Sequence, residues 1–549
     1  MTTLEPRAPF TQEELDKLYP KNLQLELVQI VSRQRAFASV YTVSECRYKH
    51  YQFDGMANQS QAGLAPYWPY CNAAKRLSSV AMTKTDWSQW SELQWRRRLE
   101  RFGPNDEPTI ASGPSGDVDG VCNLGELTDK GRETTLALGE RLRHLYVNQL
   151  KFMPALISDA DMIYLRATPL PRALESVQQA FWGMYPATAR TQSFPPPTII
   201  TRTPADETLY PNDANCRRFN QLSRAFAQRT ADRWNETDEM AYLNKLMSKW
   251  MPESSPKVAV DSHPRLSGIM DTINSTLAHG PETRLPSSFY DRKLRDIVDK
   301  IGVEEWFSGY TESQEYRTLG IGSLVGDIVE RMTGFIEGTG LTVTEVGGHD
   351  GQLGTGRGGE QSIRFAMSGC HDTTLAAVLS SLGAFDNEKW PPYTSHLAVE
   401  LFRKPDEINI VSGPNPTSVT QHQAQATKPG FLASMLGLSS APSKAFNSLV
   451  SGSVPSGGIG RRPTMELSDS ELNKLKGHYV RIRYNDRVMQ VPGCKKPGNH
   501  LEGDETFCTL EAFKKIVDKY TPKNWKQECG WHMDGEAFPK DQGQAAGYE

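Results

Sequence analysis

Three short stretches of this chain hold residues whose types and positions could do chemistry. The first is Ser368-Gly369-Cys370-His371-Asp372. Here Gly369 permits a tight turn, His371 stands at its tip, and Asp372 opens a helix whose dipole suits its charge. The second is Arg166, followed two residues on by Thr168. A guanidinium at the mouth of a sheet is a bidentate clamp for phosphate or carboxylate. The third is the end of "LELVQIVSR", where Arg33 is followed by Gln34, Arg35, Ala36 and Phe37, with no Gly, His or acid. Each alone is ordinary: an Arg at a strand end is usually a surface ion pair, Asp372 a helix cap, His371 a surface residue. Together the first two suit phosphoryl transfer, in which catalysis is mostly positioning and charge stabilisation. Arg166 and His371 would hold the phosphate oxygens, and Asp372, protonated, would give a proton to the leaving alcohol.

Such groups need strand ends to carry them, and the apolar pattern supplies strands. Leu25, Leu27, Val28, Ile30 and Val31 predict a strand buried on both faces, as in a parallel sheet. Met162 to Leu165 is a second strand, Arg166-Ala167-Thr168 a turn, and after Pro169 and Pro171 a helix turns Leu174, Val177 and Phe181 inward. Ile363, Phe365 and Met367 alternate in a third, "SIRFAMSG", and "HLAVELF" is a fourth. "LTDKGRETTLALGERLRHLYVNQL" is a helix with Thr128 as N-cap and Leu138, Leu142, Leu145 and Tyr146 on one face. Trp87, Trp90, Leu93 and Leu99 also recur at helical spacing. "HYVRIRYNDRVMQV" predicts a hairpin turning near Tyr484-Asn485-Asp486.

The expected fold is α/β, a central mostly parallel sheet flanked by helices with an inserted helical cap. The core runs through 20–75, 116–195, 341–403 and 471–535, the cap through 76–115 and 196–340. Residues 404–470, rich in Ser, Pro, Gly and Thr, are expected to be a disordered insertion, and 536–549 a loose tail.

Bulk properties exclude some classes. A formal net charge of -4 gives no electrostatic case for nucleic acid. No apolar run is long enough for a membrane span, and the N-terminus lacks the apolar core of a secretory signal, so a cytoplasmic location is expected. The eight cysteines form no Cys-x-x-Cys pair, which argues against zinc. Cys494 and Cys508 flank a loop that a disulfide could close, but without a secretion signal free thiols are the expected state.

"LRATPLPRALESVQQAF" and "SGCHDTTLAAVLSSLGAF" closely resemble the second and third signatures of the histidine acid phosphatases, branch two of the histidine phosphatase superfamily. "ELTDKGRETTLALGERLRHLY" resembles the family's helix after its Leu-Thr-x-x-Gly turn, and "HYVRIRYNDR" its late hairpin. Cys494 and Cys508 match a pair often bridged in secreted members. The likeness covers about residues 20–400 and 475–530 and looks closest to fungal intracellular members, themselves similar to lysophosphatidic acid phosphatase. It implies a helical cap over the sheet's carboxyl edge and a two-step hydrolysis of phosphate monoesters, lysophospholipids among them. A histidine attacks phosphorus, and water then breaks the phosphohistidine. No metal or organic cofactor is implied. Arg33 fits the first Arg of the family's Arg-His-Gly-x-Arg-x-Pro motif, which implies phosphate binding.

The motif then stops. Gln34 stands where the nucleophilic His is expected, and an amide nitrogen forms no phosphoryl intermediate. The other histidines considered do not fit: His279 and His349 have glycines beside them but follow no strand, His144 lies within a helix, and His50 has neither strand nor glycine. Three readings remain: a pseudophosphatase that keeps a phosphate or phospholipid pocket, rescue by a remote histidine, or a gene-model error over "QRAFASVYTVSECRYKHYQFDGMANQS". The third is favoured, because point decay would leave traces of the Gly, Arg and Pro, and the family pattern resumes abruptly at Ala62.

Overall fold

The computed structural model describes residues 7–33, 67–73, 77–82, 90–123, 125–338, 363–405, 458–538 and 545–548. Its scaffold follows from alternation along three strands. In β1 (Gln24–Arg33) every position from Leu27 onward is buried. Leu27 and Val31 turn to one face of the sheet, Val28 and Ile30 to the other. Two antiparallel pairs lie outside that sheet, β2 (Leu77–Met82) with β3 (Trp90–Trp95), and β4 (Glu100–Phe102) with β5 (Pro108–Ile110). The sheet is completed by β6 (Ile163–Ala167), β7 (Ile199–Ile200), β8 (Phe365–Cys370), β9 (His396–Arg403), β10 (His478–Tyr484), β11 (Arg487–Met489), β12 (His500–Leu501) and β13 (Asp504–Thr509). Among the described residues it has nine strands in the order β12-β13-β10-β9-β1-β8-β6-β7, with β11 paired to β10. The half that runs β1-β8-β6-β7 is parallel, and from β1 across to β12 the pairing is antiparallel. The β10–β11 turn falls at Asn485 and Asp486, both left-handed at φ 47° and 69°, as a two-residue hairpin of this twist requires.

Two expectations for local structure fail for physical reasons. The helical spacing of Trp90, Leu93 and Leu99 yields β3 and the approach to β4, while Trp87 lies outside the described residues. Leu93 and Trp95 remain 48% and 45% exposed, so the spacing had no core to face. Arg166 and Ala167 are not a turn but the last residues of β6, which decides where the guanidinium goes.

Helices cover both faces of the sheet. The first, α1 (Asp129–Leu142), is capped by the Thr128 hydroxyl, which accepts from Gly131 N at 3.1 Å. It packs on α2 (Pro171–Met184) through glycines: a Cβ on Gly139 would lie 2.0 Å from the Ala180 carbonyl oxygen. These two bury the face made by Val28, Ile30, Leu165 and Met367. Next come α3 (Arg217–Trp234), α4 (Asp238–Met247), α5 (Leu266–His279), α6 (Arg292–Glu312), α7 (Ser323–Glu337), α8 (Asp372–Ser381) and α9 (Leu510–Asp518). The opposite face, with Leu27, Val31 and Tyr164, is covered by α7, α8 and α9. A separate apolar cluster joins α4, α5 and α6 to Trp68.

The chain's end and its polar insertion depart from expectation where they are described. Residues 545–548 are not loose: Ala546 is buried and Gly493 N donates to the Gly547 carbonyl at 2.7 Å. Of the stretch 404–470, residues 406–457 lie outside the described residues, and Ile459 beyond them is fully buried in the main core. The cysteines correct the expectation of free thiols. Cys71–Cys122, Cys216–Cys529 and Cys494–Cys508 are disulfides, while Cys370 is free and buried. The first two join residues 51 and 313 positions apart, beyond what spacing alone could suggest.

Under the antiparallel half, Glu400 is buried among partners. It accepts from Tyr19 Oη at 2.7 Å, Tyr146 Oη at 2.8 Å, Arg481 Nη2 at 2.8 Å and Arg483 Nη2 at 3.2 Å. Burial alone would raise its pKa, but Arg483 and Arg481 outweigh it and bring the carboxyl from 4.5 to about 2. A depressed folded-state pKa stabilises the fold above the unfolded value, and that stability is lost as pH falls from about 4.5 toward 2. Glu400→Gln leaves buried Arg481 without its counter-charge and Arg483 with only Asp486, 3.5 Å from its Nη1, and is expected to cost about 3–5 kcal/mol in urea unfolding at pH 7. A loss below about 1 kcal/mol would show that water or neighbours compensate.

Candidate active site

Parallel register brings three strand ends to one edge. Arg33 lies opposite Cys370, and Ala167 opposite Gly369, so the three strand ends share the carboxyl edge, where open α/β sheets bind ligands. Arg33 is 5% exposed, and its Nη2 lies 2.9 Å from Asp372 Oδ2. Its guanidinium stacks 4.1 Å above the Tyr393 ring and its Nη1 bonds the Pro391 carbonyl. His371 is the N-cap residue of α8. Its Nε2 is 3.2 Å from Thr168 Oγ1, and its ring meets Tyr210 edge-on at 5.6 Å. Asp372 opens α8, accepting from Trp390 Nε1 and from Thr373 N, each at 2.8 Å.

These surroundings set the charges. Burial opposes ionisation of Asp372, but Arg33, the Trp390 donor and the Thr373 amide outweigh it and hold the carboxyl below its ordinary range. His371 is held well below the usual imidazole range, first by burial and then by Arg172 and Arg33, against the pull of Asp372. At neutral pH the pair is thus a carboxylate beside a neutral imidazole. Gly369 serves this edge in an unexpected way. It lies inside β8, and a Cβ there would sit 2.5 Å from Val177 Cγ2 and 2.8 Å from the Ala173 carbonyl, so glycine permits close packing of α2.

The structure brings Arg33, His371 and Asp372 together and sends the guanidinium of Arg166 elsewhere. Alternation along β6 puts Arg166 on the same face as Tyr164, toward α7. There its Nη2 lies 2.7 Å from Glu207 Oε1 and its Nη1 3.2 Å from Asp327 Oδ2, with the side chain 1% exposed. A different arginine is present at the pocket. Arg172, in the first turn of α2, interacts with Asp271, Asp372 and Tyr393 through charge, and burial lowers its pKa. Among the described residues no carboxylate lies within ion-pairing distance of it, and its Nη1 would be 3.2 Å from a Cβ placed on Gly125. Sequence reasoning passed over Arg172, although it stands inside the quoted signature six residues after Arg166. Asp271, on α5, was also missed: its Oδ1 accepts from Tyr393 Oη at 3.1 Å. Nothing local in "GIMDTINS" marks it.

The other histidines weighed as nucleophiles are placed as follows. His279 ends α5, its Nδ1 3.0 Å from Glu282 and its ring 4.3 Å from that of Tyr70. His144 lies in the helical continuation of α1. His50, His349 and Gln34 lie outside the described residues. Among the described residues no group of three or more His, Cys, Asp or Glu is placed to hold a metal ion, and no helix is long and apolar enough to cross a membrane.

A probable acid phosphatase of Schizosaccharomyces pombe is 35% identical over 515 residues, 93% of this chain and 95% of that protein. The human lysophosphatidic acid phosphatase type 6 is 25% identical over 282 residues, 51% of this chain and 57% of that one. A solved structure of Hafnia alvei phytase in complex with tartrate aligns at 12% identity and a TM-score of 0.47, covering 93% of this chain and 99% of that chain. The family model for the histidine phosphatase superfamily (branch 2) matches residues 59–417. The family match and the 35% identical relative show that the chain belongs to the histidine phosphatase superfamily, branch 2, with phosphatases of the acid-phosphatase type among its relatives.

Proposed function

We propose that this locus encodes a phosphomonoesterase whose pocket grips the phosphate with Arg33, Arg172 and His371, and whose Asp372 protonates the leaving alcohol. The observation that carries this is Arg172: a desolvated guanidinium without an ion-pair partner among the described residues, in electrostatic contact with the Asp372 pocket. Desolvating a cation is costly unless an anion arrives. The phosphate-binding part expected of Arg166 passes to Arg172, and Arg166 is assigned to bracing the wall beneath.

The reaction requires histidine at position 34. Its imidazole nitrogen would bond to phosphorus as the ester P–O bond breaks, with the Asp372 proton going to the departing alkoxide. Water would then attack phosphorus, returning its proton to Asp372 as the P–N bond breaks. Asp372 is a carboxylate while it pairs with Arg33. A bound phosphate dianion competes for Arg33 and repels Asp372, which favours the uptake of the proton needed. Chain segment 34–60 is best explained as a gene-model error: the family match begins only at residue 59, at the end of that segment, although β1 ahead of it is intact. A spliced transcript that encodes Gln34 through Ser60 as written would sink that reading and favour the pseudophosphatase, whose support is that Arg33, His371 and Asp372 still converge.

In a chain with the motif restored, Asp372→Asn is expected to slow hydrolysis of alkyl phosphates about 10²–10⁴-fold and activated aryl phosphates far less, since a good leaving group needs no proton. Equal slowing of both in steady-state assays would refute the proton-donor role. The lysophosphatidic acid phosphatase relatives favour a lysophospholipid among the substrates, to be checked against a water-soluble alkyl phosphate. The three disulfides support an oxidising compartment rather than the cytoplasm that the N-terminus suggested.

A further inference from the structure

One carboxyl group in the pocket has no part in that scheme. Asp271 comes not from the sheet edge but from α5, across the pocket. Among the described residues it interacts with charged or titratable groups from four places: Arg33 at the end of β1, Asp372 on α8, Tyr393 ahead of β9 and Arg172 on α2. Its own helix adds Ser275, whose hydroxyl donates to the Asp271 carbonyl at 2.8 Å and lies 2.7 Å from Tyr393 Oη. Tyr393 therefore joins two roles. Its ring carries the Arg33 guanidinium at 4.1 Å and its hydroxyl holds Asp271 at 3.1 Å. Asp271 and Asp372 both act on Arg172, so the anions of the protein and an incoming phosphate compete for the same two guanidiniums.

We propose that Asp271 is an acid gate on the phosphate pocket: protonated, it leaves Arg33 and Arg172 to an incoming phosphate monoester, and ionised, it competes for them and repels the ester. The inference rests on reading the pocket as a phosphate site. Two facts set the range in which it acts. Burial and the neighbouring Asp372 carry the pKa of Asp271 up from 3.8 to about 6, against Arg33, Tyr393 and Arg172. His371 is held too low to titrate there, by burial and by Arg172. Anion binding is therefore strongest below about pH 6 and weakens as pH rises, by at most about tenfold per unit when ionised Asp271 and the anion exclude each other.

The test needs no turnover and so does not depend on residue 34. Sodium sulfate is a dianion throughout the range, and its affinity for the chain as written can be measured by calorimetry at pH 5 and 7.5 at constant ionic strength. The expected result is sulfate affinity roughly ten- to thirty-fold weaker at pH 7.5. Asp271→Asn should bind about equally at both pH values, near the acid-side affinity. If that variant does not fold, Tyr393→Phe serves: it keeps the ring beneath Arg33, removes a donor that stabilises the carboxylate, and should move the midpoint to higher pH. Binding of equal strength at both pH values in the unmodified chain, or a pH dependence that survives Asp271→Asn, overturns the gate and leaves the phosphate pocket standing. Absence of sulfate binding in every chain at either pH overturns the phosphate pocket, and the gate with it.

Discussion

Restoring Arg-His-Gly-x-Arg-x-Pro from residue 33, through Gln34→His, Arg35→Gly, Phe37→Arg and Ser39→Pro, is expected to raise aryl phosphate hydrolysis by at least about 10³-fold over the chain as written. The register of β1 makes this reasonable. Arg33 N donates to the Ser395 carbonyl at 2.7 Å and Cys370 lies opposite in the parallel neighbour, so the strand is pinned up to the residue before the change. Arg33 ends the strand at the edge where it meets His371 and Asp372. Gln34→His alone is expected to recover little. Arg35 puts a long side chain where the motif has glycine, and Phe37 removes the second guanidinium that would share the phosphate charge. The readout is release of nitrophenol from para-nitrophenyl phosphate at acid pH. Substantial activity in the unmodified chain would refute the claim that its nucleophile is missing. A fully restored chain that folds, binds sulfate and stays inactive would refute the assignment of Arg33 as the motif's first residue.

What could be read from the sequence was whatever depends on local pattern. Alternation and apolar runs placed β1, β6, β8 and β9, the Thr128 cap placed the start of α1, and the Ser368–Asp372 stretch placed an acid and an imidazole at the head of α8. Errors arose where one residue of strand length changes the answer. Reading Arg166 as a turn residue freed its side chain to point at the sheet's mouth, whereas as a strand residue it follows the parity of Tyr164 and is committed to the face beneath α7. Asp271, Tyr393 and Trp390 stayed hidden for a different reason. They reach the site from a cap helix and a loop, and only the tertiary fold relates them to residues 33 and 372. Cys216 and Cys529 are the extreme instance, joined across 313 positions.

Arg166 and Arg172, six residues apart, should respond to mutation in opposite ways. Arg166→Met removes the counter-charge of two buried carboxylates. Glu207 is fully buried, and its Oε1 accepts from Arg166 as well as from the amides of Thr208 and Leu209. Asp327 is shared with Arg202 and Arg461, whose charges, with that of Arg166, hold its carboxyl below the ordinary range although burial pushes it up. Losing one partner of a buried pair costs about 3–5 kcal/mol, since the charge left behind is uncompensated, and unfolding in urea should show it. Arg172→Gln should act otherwise. Its guanidinium is desolvated and without an ion-pair partner among the described residues, so its removal takes away a burden on the fold. Stability is expected to hold within about 1 kcal/mol or to rise. Sulfate affinity should instead fall by about ten- to a hundredfold, the loss of a charge-assisted bidentate contact. Arg166→Met with full stability and lost sulfate binding, beside Arg172→Gln with the reverse, would return the phosphate clamp to Arg166. The expected pattern separates an arginine that supports the pocket from one that fills it.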